Sequence, residues 1–171
     1  MLDMGFEPQI RRVVRAMPPT TARHTLLFSA TFPDAIQRLA REFLRPYVWI
    51  GVGRVGSTVD GIEQRIVRAA PDKRKKLQLV VAALGERRGR TLVFVEKKRT
   101  ATWVKKRLVG DHGVQAEDIH GDRSQSQREA ALRRFRAGEC RVLVATDVAA
   151  RGLDIPAVAH VVNMDLPVSA D

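Results

Sequence analysis

From Asp72 onward the chain alternates short apolar runs with longer amphipathic ones, and this alternation most restricts its fold. "RTLVFVE" (90–96), "VQAEDIH" (114–120), "VLVATDV" (142–148) and "AHVVNMD" (159–165) read as strands. Between and before them, "DKRKKLQLVVAALG" (72–85), "TATWVKKRLVGD" (100–111) and "SQSQREAALRRFRAGE" (124–139) read as helices. Strands separated by whole helices pair in parallel, and the crossovers cover the sheet. The spacing therefore predicts an α/β fold, a parallel sheet with helices on both faces. Local chemistry sets the helix ends. Asp72 is a good N-cap and Gly85 a candidate C-cap, and Ser124 with Gln127 has capping-box spacing.

The first third is a shorter series. Ile10, Val13, Val14 and Met17 fall at helical spacing within 6–17, and Pro18-Pro19 ends that helix. "TLLFSAT" (25–31) reads as a strand with a polar end. "PDAIQRLAREFL" (33–44) reads as a helix with Ile36, Leu39, Ala40 and Phe43 on one face, and "YVWIGV" (47–52) as another strand. "GRVGSTVDG" (53–61) has three glycines and no apolar period, so it reads as a connector. "IEQRIVRAA" (62–70) then opens the second series as a strand. The expected organisation is a first piece, 1–52, a linker, 53–61, and a larger domain, 62–171.

Composition narrows the partners. The formal charge of +11 over 171 residues favours a polyanion, most simply nucleic acid, although solubility alone also uses basic surfaces. Aromatic residues are only 5%, which argues against a surface built on base stacking. The lone cysteine, Cys140, rules out an internal disulfide and a Cys/His zinc spacing, and it fits a reducing intracellular compartment, cytoplasmic or nuclear. No apolar run is long enough to span a bilayer, and "MLDMGFEPQI" has no secretory pattern, so no membrane partner is expected.

The polar residues collect where the expected strands end. In an open parallel sheet that is where ligands bind. "TLLFSAT" ends in Ser29 and Thr31; "TLVFVE" runs into Lys97, Lys98 and Arg99; "VQAEDIH" into Gly121, Asp122 and Arg123; "VLVAT" into Thr146 and Asp147. Each has a bland alternative. Ser29 and Thr31 can cap the helix near Pro33. Gly121 can make a tight turn with Asp122 as a cap, or let backbone approach a phosphate. Arg128, one turn into its helix, can be a solvated arginine. Thr146 can be a plain strand terminus, or offer its hydroxyl and N–H to a phosphate. Gly152 and Asp154 can be a structural loop, or present backbone to a nucleotide and a carboxylate to a ribose. His120 suits a hydrogen-bonded turn. Four such ends in one chain point to one rim that handles a charged ligand.

The ordered pieces "MLDMGF" (1–6), "SAT" (29–31), "GRVGS" (53–57), "TLVFVE" (91–96), "HGDRSQSQRE" (120–129), "ATDVAARGLD" (145–154) and "VVNMDLP" (161–167) resemble the DEAD-box RNA helicases, nearest their vasa-like branch. The resemblance spans the whole chain. It implies two RecA-like domains, with ATP and Mg2+ between them and RNA across both. Residues 1–52 would be the C-terminal remnant of the first domain and 62–171 most of the second. Ser29 and Thr31 would couple ATP hydrolysis to strand separation. Gly121, Arg128 and Thr146 would face the RNA backbone, and Gly152 and Asp154 the nucleotide. Lys97 stands where the family usually has threonine, which makes an RNA contact there one of charge. Met164 stands where an aromatic is common.

The glycine-rich GxxxxGK[ST] loop, the Asp-Glu-Ala-Asp stretch and the arginine-finger segment do not occur in this sequence. The expectation is a fragment of an ATP-dependent RNA helicase, inactive alone, with no metal site of its own and no preference for RNA sequence. The alternatives are a short non-catalytic RNA-binding or regulatory module, and an unrelated α/β domain that would leave the ordered motifs unexplained.

Overall fold

The computed structural model describes residues 5–29, 32, 34–52, 61–150 and 155–166. The chain divides into two compact units between Arg65 and Ile66. Most of the expected linker lies outside the described residues.

The first unit holds α1 (Glu7–Ala16) and α2 (Asp34–Phe43). Pro8 sits in the first turn of α1, where its missing N–H costs nothing. Ile10 and Val14 of α1 pack with Phe32 on Ile36, Leu39 and Phe43, the face that helical spacing selects. Arg11 joins the helices by pairing with Glu7 and Glu42, its guanidinium 5.5 Å from the Phe43 ring centroid.

The strands expected at 25–31, 47–52 and 62–70 do not form among the described residues. Thr25–Ser29 and Tyr47–Val52 line one open concavity, and Phe28, Val48, Ile50 and Val52 stay exposed. An apolar run becomes a strand only when a neighbour supplies ladder partners, and among the described residues none does.

The second unit carries α3 (Lys73–Glu86), β1 (Arg90–Phe94), α4 (Lys98–His112), β2 (Ala116–Ile119), α5 (Gln125–Arg136), β3 (Val142–Ala145), α6 (Asp147–Ala150) and β4 (Val158–Asn163). The four strands form one parallel sheet in the order β2-β3-β1-β4. The chain steps from β1 past β3 to the far edge through α4, then back through α5. Crossovers of one hand that step in opposite directions put their helices on opposite faces.

The packing agrees. Ala101, Val104 and Leu108 of α4, with Leu77, Val80 and Leu84 of α3, cover Val93, Val95, Val142 and Val144. Ala131 and Phe135 of α5 cover Ile119 and Leu143 on the other face, joined by Ala149 of α6. Successive residues of β3 thus enter different cores, which is why the whole strand is buried and reads as a continuous apolar run.

The caps follow local chemistry, with one correction. The Asp72 carboxylate accepts the Arg74 and Lys75 N–H groups at 2.7 and 3.0 Å. Ser124 and Gln127 close a reciprocal capping box at 3.2 and 3.0 Å. Gly85, expected as a cap, lies inside α3, which ends one residue later against extended Arg87. The left-handed glycine cap occurs instead after α4, at Gly113 (φ 63°), where the next N–H, that of Val114, donates to Leu108 O at 2.9 Å.

Candidate nucleic-acid interface

Strand register fixes one edge of the second unit. Ile119, Ala145, Phe94 and Asn163 lie in one row across the sheet. The next residues, His120, Thr146, Val95 and Met164, form its carboxyl-end rim, with neighbouring strands about 4.8 Å apart. β1 and β3 are adjacent, yet the chain leaves β1 into α4 on one face and β3 into α6 on the other. Diverging loops open a crevice at such a switch point.

Four expected site residues fall at this end. Lys97 is the exposed N-cap residue of α4, with no side-chain cap of its own. Gly121 is exposed in the turn after β2. It does not have a positive φ, so no backbone strain demands glycine; a Cβ there would meet the Lys98 Cε at 3.3 Å. The side of the turn that a side chain would fill is taken up by the flexible end of Lys98. Arg128 sits in the first turn of α5. Its Nη1 reaches Gln125 Oε1 at 3.4 Å, while its buried Nε has no partner. Thr146 is buried at the end of β3. Its N–H, expected to be available, donates to Ile119 O at 3.2 Å and extends the ladder, which leaves the hydroxyl as its free polar group.

Ser29 belongs to the first unit. Thr31, Gly152 and Asp154 lie outside the described residues.

A buried carboxylate that sequence reasoning missed organises the rim from below. Asp118, 3% exposed, accepts both contacts from Arg123 Nη2 at 2.8 and 2.7 Å and the Thr102 hydroxyl at 2.9 Å, with Lys105 Nζ at 3.4 Å. Burial pushes its carboxyl up; the Arg123 and Thr102 hydrogen bonds, with the Arg123 and Lys105 charges, outweigh that and hold it below the usual range. His120 Nδ1 accepts the Asp122 N–H at 3.3 Å, so in the neutral ring Nε2 carries the proton and donates to Thr102 Oγ1 at 2.9 Å. One carboxylate thus holds both ends of the turn 120–123, directly at Arg123 and through Thr102 at His120. A charged residue inside a short buried strand, with basic residues close by, was the available signal.

Two further contacts set the loops. Asp165 accepts the Glu96 N–H at 3.2 Å and Lys76 Nζ at 2.7 Å, which fixes the segment leading to Lys97. Lys98 Nζ meets Asp122 at 2.7 Å and holds that carboxyl below its usual range. This exposed pair adds little stability, but it occupies the turn's one acid. Among the described residues 97–99 and 120–128, Lys97, Arg99 and Arg128 remain as positive charges.

Among the described residues no three His, Cys, Asp or Glu side chains converge as metal ligands. No helix there is long and apolar enough to cross a membrane.

Residues 72–171 match the family described as the helicase conserved C-terminal domain. The structure is similar to that of S. cerevisiae Dbp5 bound to RNA and ADP BeF3, with 33% identity, a TM-score of 0.83, and coverage of 99% of this chain and 43% of that one. It is also similar to the yeast DEAD-box splicing factor Prp28, with 30% identity, a TM-score of 0.60, and coverage of 98% and 37%. The C-terminal domain of the DEAD-box protein Dbp5 matches at 36% identity and a TM-score of 0.50, over 56% of this chain and 53% of that domain. The chain thus spans about two fifths of the longer proteins it resembles.

Proposed function

Because the chain belongs to the helicase conserved C-terminal domain family, we propose that it is part of an ATP-dependent RNA helicase of the DEAD-box kind, and that the rim of its sheet grips the sugar-phosphate backbone of RNA. The observation that carries this reading is the convergence of Lys97, Gly121, Arg128 and Thr146 on the carboxyl end of one parallel sheet, with a buried Arg128 Nε still unpartnered. An arginine donor, a lysine charge, a hydroxyl and the exposed backbone of a glycine turn suit phosphate oxygens. None is a base-reading pair, so binding is indifferent to sequence. The related Dbp5 was seen bound to RNA and ADP BeF3, which supports both partners.

In the same reading residues 1–52 belong to a first RecA-like domain and 53–61 to the linker, as in the vasa-like branch. Ser29 and Thr31 couple nucleotide hydrolysis to strand separation, and Gly152 and Asp154 face the nucleotide.

The test is binding of two short single-stranded RNAs of unrelated sequence, followed by fluorescence anisotropy across a salt series. Arg128→Ala should weaken both alike and flatten the slope of log affinity against log salt by about 0.7, one phosphate contact on a single strand. A loss confined to one sequence, or no loss, would contradict the assignment.

A further inference from the structure

Lys98, the first residue of α4, follows Lys97 and reaches the Gly121 turn. Its Nζ donates to Asp122 Oδ1 at 2.7 Å. A Cβ built on Gly121 would meet the Lys98 Cε at 3.3 Å and its Nζ at 3.5 Å. The ammonium thus occupies the side of the turn that glycine leaves without a side chain. The pair also joins the loop after β1 to the loop after β2. In the sheet these two strands flank β3, the strand that runs into Thr146.

The fold does not account for this pair. Both side chains are more than half exposed, 53% for Lys98 and 63% for Asp122, and ion pairs so open to water stabilise little. The turn has its own anchor. Buried Asp118 accepts from Arg123 at 2.8 and 2.7 Å and from Thr102 at 2.9 Å, and Thr102 in turn meets His120.

Nor does helix α4 gain from a lysine at this position. A cation in the first turn opposes the helix dipole, and α4 starts with Lys98 and Arg99 behind Lys97, with no acid among its first residues. An anion beside that turn is favourable. Asp122 supplies one from the neighbouring loop, and a phosphate oxygen suits the same place.

We propose that Lys98 is a further contact to the RNA backbone and that Asp122 holds its place: a phosphate oxygen displaces the Asp122 carboxylate from the ammonium when RNA seats on the rim. The choice of RNA rests on the function proposed above. Carboxylate and phosphate oxygens both accept charge-assisted hydrogen bonds from an ammonium, so one can replace the other. Lysine suits an exchange, because its flexible stem and three rotatable donors let Nζ swing while α4 stays in place. Asp122 then works against stray anions at this corner. A strand already held at Lys97, Arg128 and Thr146 presents its next phosphate at high local concentration and overcomes that opposition.

The experiment measures binding of a 6-nucleotide single-stranded RNA to the full chain, by anisotropy across a salt series. The variants are Lys98→Gln, Asp122→Asn, the two together, Lys98→Arg and Arg128→Ala. Lys98→Gln should weaken binding and flatten the slope of log affinity against log salt by about 0.7, one phosphate contact. Asp122→Asn should tighten binding about two- to fivefold at low salt, the range for releasing an exposed pair. That gain should shrink in the Lys98→Gln background, where no pair is left to break. Lys98→Arg keeps the charge and should keep the slope. A pair that only braces the loops would make both single variants weaken binding, and charge acting only at a distance would make their effects additive. Either result overturns the proposal. If Arg128→Ala weakens binding while Asp122→Asn is silent, the rim reading stands and the exchange at Lys98 falls. If Arg128→Ala is silent while opposite, non-additive effects appear at Lys98 and Asp122, the Arg128 contact falls and the exchange stands.

Discussion

Replacing Asp118 with asparagine keeps the shape of the side chain and removes its charge. At neutral pH the carboxylate accepts Arg123 and Thr102 at 2.7–2.9 Å and lies 3.4 Å from Lys105. A hydrogen bond to a charged group contributes about 1.5–3 kcal/mol net. The amide oxygen of asparagine keeps one such contact, while its NH2 group faces a donor. Arg123 and Lys105 side chains are each 28% exposed and recover some solvation. The expected cost is therefore about 2–3 kcal/mol, below the 3–5 kcal/mol typical of breaking a fully buried pair.

The pH dependence follows from the lowered pKa of Asp118. Between its folded value and the unfolded value near ~3.9 the folded state binds fewer protons, so its stabilisation is fully present above the unfolded value. It is lost as pH falls through the folded value. Urea unfolding can be followed by Trp103 fluorescence in a Trp49→Phe background, which confines the signal to the second unit. The two proteins should differ by the stated amount at pH 7 and converge on acidification. A gap that is absent at pH 7, or that stays constant below pH 3, would refute the reasoning.

Phe135 is fully buried against Ile119 and Leu143, so Phe135→Ala should cost about 3–5 kcal/mol in the same urea assay. Cys140 is buried, and burial, with a smaller push from Glu117, raises its thiol to about 11. In native buffer at pH 8 a disulfide reagent should therefore label it far more slowly than in denaturant, and similar rates would show the site to be open. The isolated chain should show no RNA-stimulated ATP turnover, since its sequence holds no GxxxxGK[ST] phosphate cradle and an arginine finger alone is worth ~10³-fold or more. Turnover above a buffer blank would count against the proposed division of labour.

The second unit was legible because its signals are local. Val142–Ala145 sits between turn residues, Asp72 and Ser124 cap what they precede, and the alternation of elements implies a parallel sheet. The first unit was less legible for a physical reason. Leu26, Phe28, Val48 and Ile50 have the composition of strands, but a ladder needs a partner from elsewhere in the chain, and periodicity cannot report one. Gly85 shows a related limit: a glycine near a helix end is a cap only if the chain turns left-handed there, and the turn came at Gly113 after the next helix. At the rim, residue types pointed to Lys97, Gly121, Arg128 and Thr146. They could not reveal that Ile119 already takes the Thr146 N–H, or that Asp118 ties both ends of the Gly121 turn. Both are contacts between elements distant in sequence.

The most direct measurement of the central claim is an NMR titration of the ¹⁵N-labelled chain with a 6-nucleotide single-stranded RNA. The account predicts saturable shifts at the amides of Lys97, Gly121 and Thr146 and at Arg128 Nε. A second titration with an unrelated 6-mer should give the same map. Shifts that avoid the carboxyl end of the sheet, or that move to a different set of residues when the sequence changes, would contradict it.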